Sequence, residues 1–118
     1  MNHMKVLNSV VEFSRPIEVL ESEVAKLPWD SESALVELSS LRLASALDRF
    51  LTGQLTFDAL SRWAELIEVR EDIDLPRDAT REAVKLAISR LANASLETES
   101  PAQFVKEIRK TLTETEGR

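Results

Sequence analysis

Three carboxylates near the middle of the chain, Glu65, Glu68 and Asp72, are spaced i, i+3, i+7 and so share one face of a helix. Glu71 and Asp74 stand close by. Such an array could bind a divalent cation, act as a catalytic acid and base, or dock a cationic surface. A calcium loop needs a central glycine, which this stretch lacks, and the pattern supplies neither burial nor a polarising partner for catalysis. The array therefore predicts a solvated face, with an electrostatic docking surface as the functional alternative.

The two tryptophans occupy different sequence contexts. Trp63 lies beside an apolar helical stripe, which predicts a place in the core. Trp29 stands in a polar link between Pro28 and Asp30. There it either covers one end of the fold or anchors a partner, since tryptophan is enriched among the residues that dominate binding energy. Both readings of Trp29 stay open at this point.

Groups that perform covalent or phosphate chemistry are scarce in this sequence. It has no cysteine, and its one histidine, His3, lies at the very start. No serine therefore has a base at a plausible triad position, and thiolate metal sites are excluded. Gly53 and Gly117 are the only glycines, which is too few for a phosphate-binding loop. We predict no enzymatic activity, no bound metal and no cofactor.

The formal net charge of −6 argues against a nucleic-acid partner, because phosphates are bound by surplus lysine and arginine. It suits a basic protein partner instead. Residues 12 to 78 hold 15 acidic and 7 basic side chains, whereas residues 79 to 118 hold 6 and 7. The acidic surplus thus lies in the first two thirds of the chain. Arg62, Arg70, Arg77 and Arg81 alternate with acids and are predicted to form ion pairs.

The length of 118 residues, with 43% apolar residues, is enough for a single domain with its own core. No window approaches the ~20 apolar residues of a membrane span, and no secretory signal is visible. We therefore expect a cytoplasmic protein with no membrane partner. The dipeptide His3-Met4 resembles a cloning remnant, so we expect residues 1 to 3 to be foreign.

A helix that follows a tight turn must position the acidic array. Gly53 comes two residues after Leu51, the last of an apolar run, where a left-handed residue ends a helix. Thr56 can then accept a hydrogen bond from the backbone N–H of Ala59 and begin the next helix. These signals predict helices over residues 40 to 52 and 57 to 69. The short link between them predicts that they pack as a pair.

Apolar periodicity predicts four further helical segments, of which the first fits a regular helix least well. They cover residues 4 to 13, 16 to 26, 79 to 93 and 101 to 112. Ser39, Asp78 and Ser100 are the predicted caps of later helices. Residues 34 to 37 fit either a helical turn or an extended lead-in, and residues 70 to 77 fit either a loop or a helix entry. The tail from Thr113 is predicted to fray. The prediction is an all-α, single-domain bundle of about five helices.

Residues 47 to 64, followed by residues 68 to 73, carry the heptapeptide FLTGQLT at positions 50 to 56. In this segment, about a quarter of the chain, the sequence resembles small uncharacterised bacterial all-helical proteins. More loosely, it resembles colicin-type immunity proteins, whose helical pair carries a similar aromatic-Leu-x-Gly-x-Leu/Ile-Ser/Thr turn. The resemblance implies a toxin-neutralising protein that binds a basic nuclease or similar effector through an acidic surface.

We therefore predict a small acidic bacterial protein-binding module, specifically an immunity-type inhibitor that neutralises a basic toxin. The residues expected to contact the partner are Glu65, Glu68, Glu71, Asp72, Asp74, Trp29 and Asp30. The alternative is a self-associating structural or scaffold protein, a homo-oligomer that uses Trp29 and the surplus apolar residues Leu41 and Leu66.

Overall fold

The computed structural model describes residues 3–27, 36–70, 73–94 and 100–116. Six helices and two short strands lie within these ranges. They are α1 (His3–Glu12), α2 (Ile17–Ala25), β1 (Val36–Glu37), α3 (Ser40–Leu51), α4 (Phe57–Glu68), β2 (Ile73–Asp74), α5 (Arg81–Ala92) and α6 (Pro101–Glu116). The predicted all-α bundle of about five helices is confirmed. The first predicted segment proves to be a regular helix, which brings the number in the described residues to six.

The turn between α3 and α4 follows the predicted signals closely. Gly53 has φ +85° and donates its N–H to the carbonyl of Phe50, while the N–H of Gln54 reaches the carbonyl of Arg49 at 2.7 Å. These two bonds satisfy the last carbonyls of α3. Thr56 then accepts a hydrogen bond from the N–H of Ala59 at 3.0 Å and caps α4. Both the stop at Gly53 and the cap at Thr56 are confirmed.

Helix α1 ends without the glycine that usually marks such a stop. Phe13 takes φ +49° itself, and the N–H of Ser14 bonds to the carbonyl of Ser9 at 3.1 Å. A left-handed conformation costs a residue with a side chain roughly 1–2 kcal/mol. The Phe13 ring is buried against Trp63, with ring centroids 5.3 Å apart. Burial of that ring offsets the backbone strain.

Two helix ends differ from their predictions. Asp78 does not cap α5 directly: Thr80 occupies the N-cap position, and the Asp78 carboxylate accepts from the N–H and hydroxyl of Thr80 in the preceding turn. At the other end, α6 continues to Glu116, past the predicted fraying point at Thr113. The hydroxyl of Thr113 donates a hydrogen bond to the carbonyl of Arg109 and accepts one from the Arg109 guanidinium at 2.6 Å. These two bonds stabilise the last turns of α6.

The two strands form a parallel pair that joins distant parts of the chain. Val36 lies opposite Ile73, and the N–H of Leu38 extends the pairing to the carbonyl of Asp74 at 2.9 Å. The extended alternative for the lead-in to α3 is therefore the one observed at residues 36 and 37. A single sequence offers no signal for so short a parallel pairing, because its partner lies far along the chain.

Helix α4 lies at the centre of the packing. It packs most extensively on α5, while α3 packs on α6 and α1 on α2. Trp63 of α4 is fully buried, as predicted, and its indole N–H donates to the carbonyl of Val10 at 2.6 Å. Leu60, Ala64 and Ile67 complete its buried stripe. With one side of α4 committed to the core, the opposite side is left to face solvent between α2 and α5.

Candidate functional site

The structure places the predicted partner-binding residues in different settings. Glu65 and Glu68 are exposed on α4, and neither forms an ion pair or hydrogen bond with another described residue. Asp74 is half-buried in β2. The remaining predicted residues, Glu71, Asp72, Trp29 and Asp30, lie outside the described residues. Exposed, unpaired carboxylates are therefore present at the two α4 positions.

Asp74 is engaged in holding the local structure together. Its carboxylate accepts from the N–H of Leu75 at 2.8 Å, from Nε of Arg77 at 3.0 Å and from Nη1 of Arg81 at 3.4 Å. These donors, the Leu75 N–H foremost, hold the pKa of Asp74 below its usual value. Arg81 also donates to the carbonyls of Leu75 and Pro76. This carboxylate is consequently less available to a partner than Glu65 or Glu68.

A cluster of charges joins α4 to α2. Arg62 donates two hydrogen bonds to the carboxylate of Glu21. Nε donates to Oε2 at 3.0 Å, and Nη2 donates to Oε1. Its Nη1 also lies 3.2 Å from Asp58 and 3.7 Å from Glu18. The hydrogen bonds with Glu21 and then Asp58 raise the pKa of Arg62 above its ordinary value. One guanidinium thus serves three carboxylates, and the cluster keeps a negative net charge.

These groups and the unpaired Glu65 lie on the same side of α4. Asp58, Arg62 and Glu65 are spaced i, i+4, i+7 and lie on one helical stripe. Glu68 is turned toward α5 and lines the cleft described below. We call the following four carboxylates of α2 and α4 the acidic face: Glu18, Glu21, Asp58 and Glu65. Arg62 lies in its middle.

Only part of the acidic face is predictable from the sequence. Arg62 was predicted to form ion pairs, which is confirmed, but its partners on α2 were missed because Glu21 is 41 residues away in sequence. The only available signal was the i, i+3 spacing of Glu18 and Glu21 on the polar side of their helix. That spacing shows an acidic stripe but does not say which helix lies beside it.

Charge is distributed unequally among the helices. Together, α2 and α4 carry six carboxylates and one guanidinium, whereas α5, on the other side of α4, carries three cations and one carboxylate. Lys85 of α5 is exposed and has no partner among the described residues. Negative charge is therefore concentrated on α2 and α4, and positive charge on α5.

A cleft of about 330 Å³ opens between the end of α4, β2 and α5. Its apolar lining residues are Ile67, Ile73, Leu75 and Ile88, and its charged ones are Glu68, Arg70, Asp74, Arg81 and Lys85. Ser89 also lines it, but the described lining contains no histidine or cysteine that could take part in nucleophilic chemistry. The Asp74–Arg81 pair commits two of the charges to structure.

Within residues 3–27, 36–70, 73–94 and 100–116, no group of three or more acids or histidines is placed to hold a metal ion. Nor does any helix in that part of the chain combine the length and apolar character needed to cross a membrane. Comparison with protein-family models, with curated proteins and with solved structures gives no significant match. The likeness to immunity proteins therefore remains a prediction.

Proposed function

We propose that this chain is a protein-binding module whose acidic face docks a basic protein, and that it acts as an immunity-type inhibitor of a basic toxin. The observation that carries the proposal is the state of Glu65. It is exposed on the same stripe of α4 as Arg62, whose guanidinium already serves three carboxylates, and it has no described partner of its own. Such a surface attracts a cationic surface.

The physics of this surface favours fast recognition. Exposed ion pairs contribute little to folding stability, with a typical value of about 0–1 kcal/mol, so these carboxylates are not needed to hold the fold. A patch of one charge sign raises the rate at which a complementary partner arrives, and does so most strongly at low salt. An inhibitor that must intercept a toxin before it acts gains from a high association rate.

A co-expression experiment tests the proposal. Because an inhibitor must be made together with the toxin it neutralises, the test partner is the protein encoded by the neighbouring reading frame. We expect that protein alone to arrest growth, and co-expression of this chain to restore it. With purified proteins, the association rate should fall steeply between low salt and about 0.5 M salt. A neighbour that neither arrests growth nor binds would overturn the immunity assignment.

A pair of charge-reversed variants locates the contact. Glu65→Lys should lower the association rate by about threefold or more. Glu107→Lys changes the net charge equally at an exposed position of α6 and should leave the rate close to wild type. Equal effects of the two variants would show that net charge, and not the acidic face, drives association.

Self-association is the second candidate, favoured by the exposure of Leu41 on α3, which is 77% exposed. Leu66, the other apolar residue invoked for this role, is partly buried against the core and offers less apolar area than Leu41. Sedimentation velocity measurements separate the candidates. A concentration-dependent oligomer that Leu41→Asp dissolves would favour the scaffold role, whereas a monomer throughout would remove it.

A further inference from the structure

An apolar groove of about 410 Å³ opens at the C-terminal ends of α2 and α4. Its described lining is Val24, Ala25, Leu27, Val69 and Arg70. Val69 occupies the C-cap position of α4 and is 69% exposed, although that position makes no structural demand for an apolar side chain. Arg70 supplies the one charged group among these residues.

The groove is continuous with the acidic face. Arg62 contacts Glu21 midway along both helices, and beyond that contact the C-terminal ends of α2 and α4 both line the groove. The two helices therefore run side by side in the same direction. Val69 lies four residues beyond Glu65, which corresponds to about 6 Å along the helix. A segment long enough to contact the acidic face can thus also reach the groove.

We propose that the groove receives a leucine-like side chain of the basic partner, while lysine or arginine side chains next to it in the partner lie along the acidic face. This inference rests on the proposed function and names the chemistry of the partner segment. The anchor must be apolar, because Val24, Leu27 and Val69 line the groove and would leave a charged group without a polar partner. The cations belong about 6 Å away, or about two residues along an extended segment.

Charge complementarity selects this occupant over a second copy of the chain. A second copy has a net charge of −6, and so would approach an acidic surface against an overall repulsion. A basic segment instead neutralises Glu65 as its apolar side chain covers Val69. The same segment thereby removes apolar area and unpaired charge from solvent together, which is the combination found at the centre of protein interfaces.

Three capped pentapeptides serve as probes of the full chain, observed by amide NMR. The first has leucine at position one and lysine at positions three and five; the second has alanine in place of leucine; the third has glutamate in place of both lysines. We expect the leucine–lysine peptide to shift the amides of Val24, Leu27 and Val69. It should bind about tenfold more tightly than the alanine peptide, because of the extra apolar area buried. The glutamate peptide should not bind.

Two matched variants test the groove itself. Val69→Asp changes an exposed residue, so the fold should persist and the preference for leucine over alanine should disappear. Leu41→Asp makes the same kind of change at an exposed position on α3 and should leave that preference intact. Loss of the preference in both variants would mean that the added charge acts non-specifically, which would overturn the groove assignment.

The outcomes separate the two proposals. Equal binding of the leucine and alanine peptides at the acidic face would overturn the groove inference and leave the basic-partner proposal standing. Equal binding of lysine and glutamate peptides would overturn both. If Trp29→Ala strengthens binding of the leucine peptide, the chain's own residues 28 to 35 occupy the groove. If Val69→Asp changes the sedimentation coefficient, a second copy of the chain occupies it. Either result would replace the proposed partner segment.

Discussion

Helix α4 has two flanks that are joined to their neighbours in different ways. Toward α5 the contact is apolar and extensive, and its polar element is a hydrogen bond from the Ser61 hydroxyl to the carbonyl of Leu91 at 2.8 Å. Toward α2 the contact includes ion pairs of Arg62 with Glu18 and Glu21, and the Arg62 side chain is 32% exposed. The α5 flank is therefore buried except at the cleft near the C-terminal end of α4, whereas the α2 flank remains partly solvated.

This difference separates stability from recognition. Buried apolar contacts dominate the free energy of folding, so the α5 flank cannot change without cost. Partly exposed ion pairs are screened by solvent and contribute little to it. The α2 flank can therefore carry an excess of negative charge without unfolding the protein. Three substitutions test this division, from the largest expected effect to the smallest.

Leu91→Ala should destabilise the protein by about 2–5 kcal/mol, because it leaves a cavity at the α4–α5 contact where Leu91 is fully buried. Chemical denaturation measures the loss. Leu86→Ala provides the control on the same helix, since Leu86 is 56% exposed and its truncation should change the free energy of unfolding by less than about 0.5 kcal/mol. Comparable losses for the two variants would contradict the assignment of the α5 flank as the stabilising contact.

Asp74→Asn should reduce the loss of folding stability that accompanies a fall in pH below about 4. The folded-state pKa of Asp74 lies below its usual value of 3.8, so near that pH the unfolded chain binds more protons than the folded one. The contribution of Asp74 is therefore complete above about pH 4 and is lost as pH falls through the lower folded-state pKa. Thermal unfolding between about pH 2 and pH 6 measures it.

Glu65→Gln is the charge-matched control for this measurement, because it removes a carboxylate that has no described partner. A profile of Asp74→Asn that runs parallel to wild type at every pH would mean that the bonds to Leu75 and Arg77 do not stabilise the fold.

Arg62→Gln should have the smallest effect on stability, and one that depends on salt. Removing the guanidinium leaves Glu18, Glu21 and Asp58 to repel one another, so the melting temperature should fall at low salt and recover toward wild type at about 1 M salt. Lys85 of α5 is a cation without a described partner, so the melting temperature of Lys85→Gln should match wild type at both salt concentrations. If the melting temperature of Arg62→Gln stays below wild type at high salt, the α2 flank stabilises the fold by packing instead.

Features fixed by neighbouring residues were predictable from the sequence. Ser39 caps α3 by accepting from the N–H of Arg42, just as Thr56 caps α4, and Gly53 ends α3 in the left-handed conformation. Each of these helix caps and stops is formed by four or five consecutive residues, so it can be predicted from a single sequence. The all-α class follows from the same local periodicity.

Features that depend on distant residues were not predictable. Phe13 adopts a left-handed conformation because its ring packs on Trp63, 50 positions later, and no local signal replaces the glycine expected there. The partners of Arg62 on α2 are equally remote. For the candidate site, the sequence therefore indicated the acids of α4 but not the helix that extends them into a surface, nor the groove that adjoins it.

The parallel pairing of β1 with β2 has a consequence for how the chain folds. Val36 and Ile73 are 37 residues apart, and α3, its turn at Gly53 and α4 lie between them. Closing so long a loop carries an entropic cost that is offset only once α3 and α4 have docked. The helical pair should therefore assemble first and the strands join last. Exchange of the Leu38 amide, which donates to the carbonyl of Asp74, would report that final step.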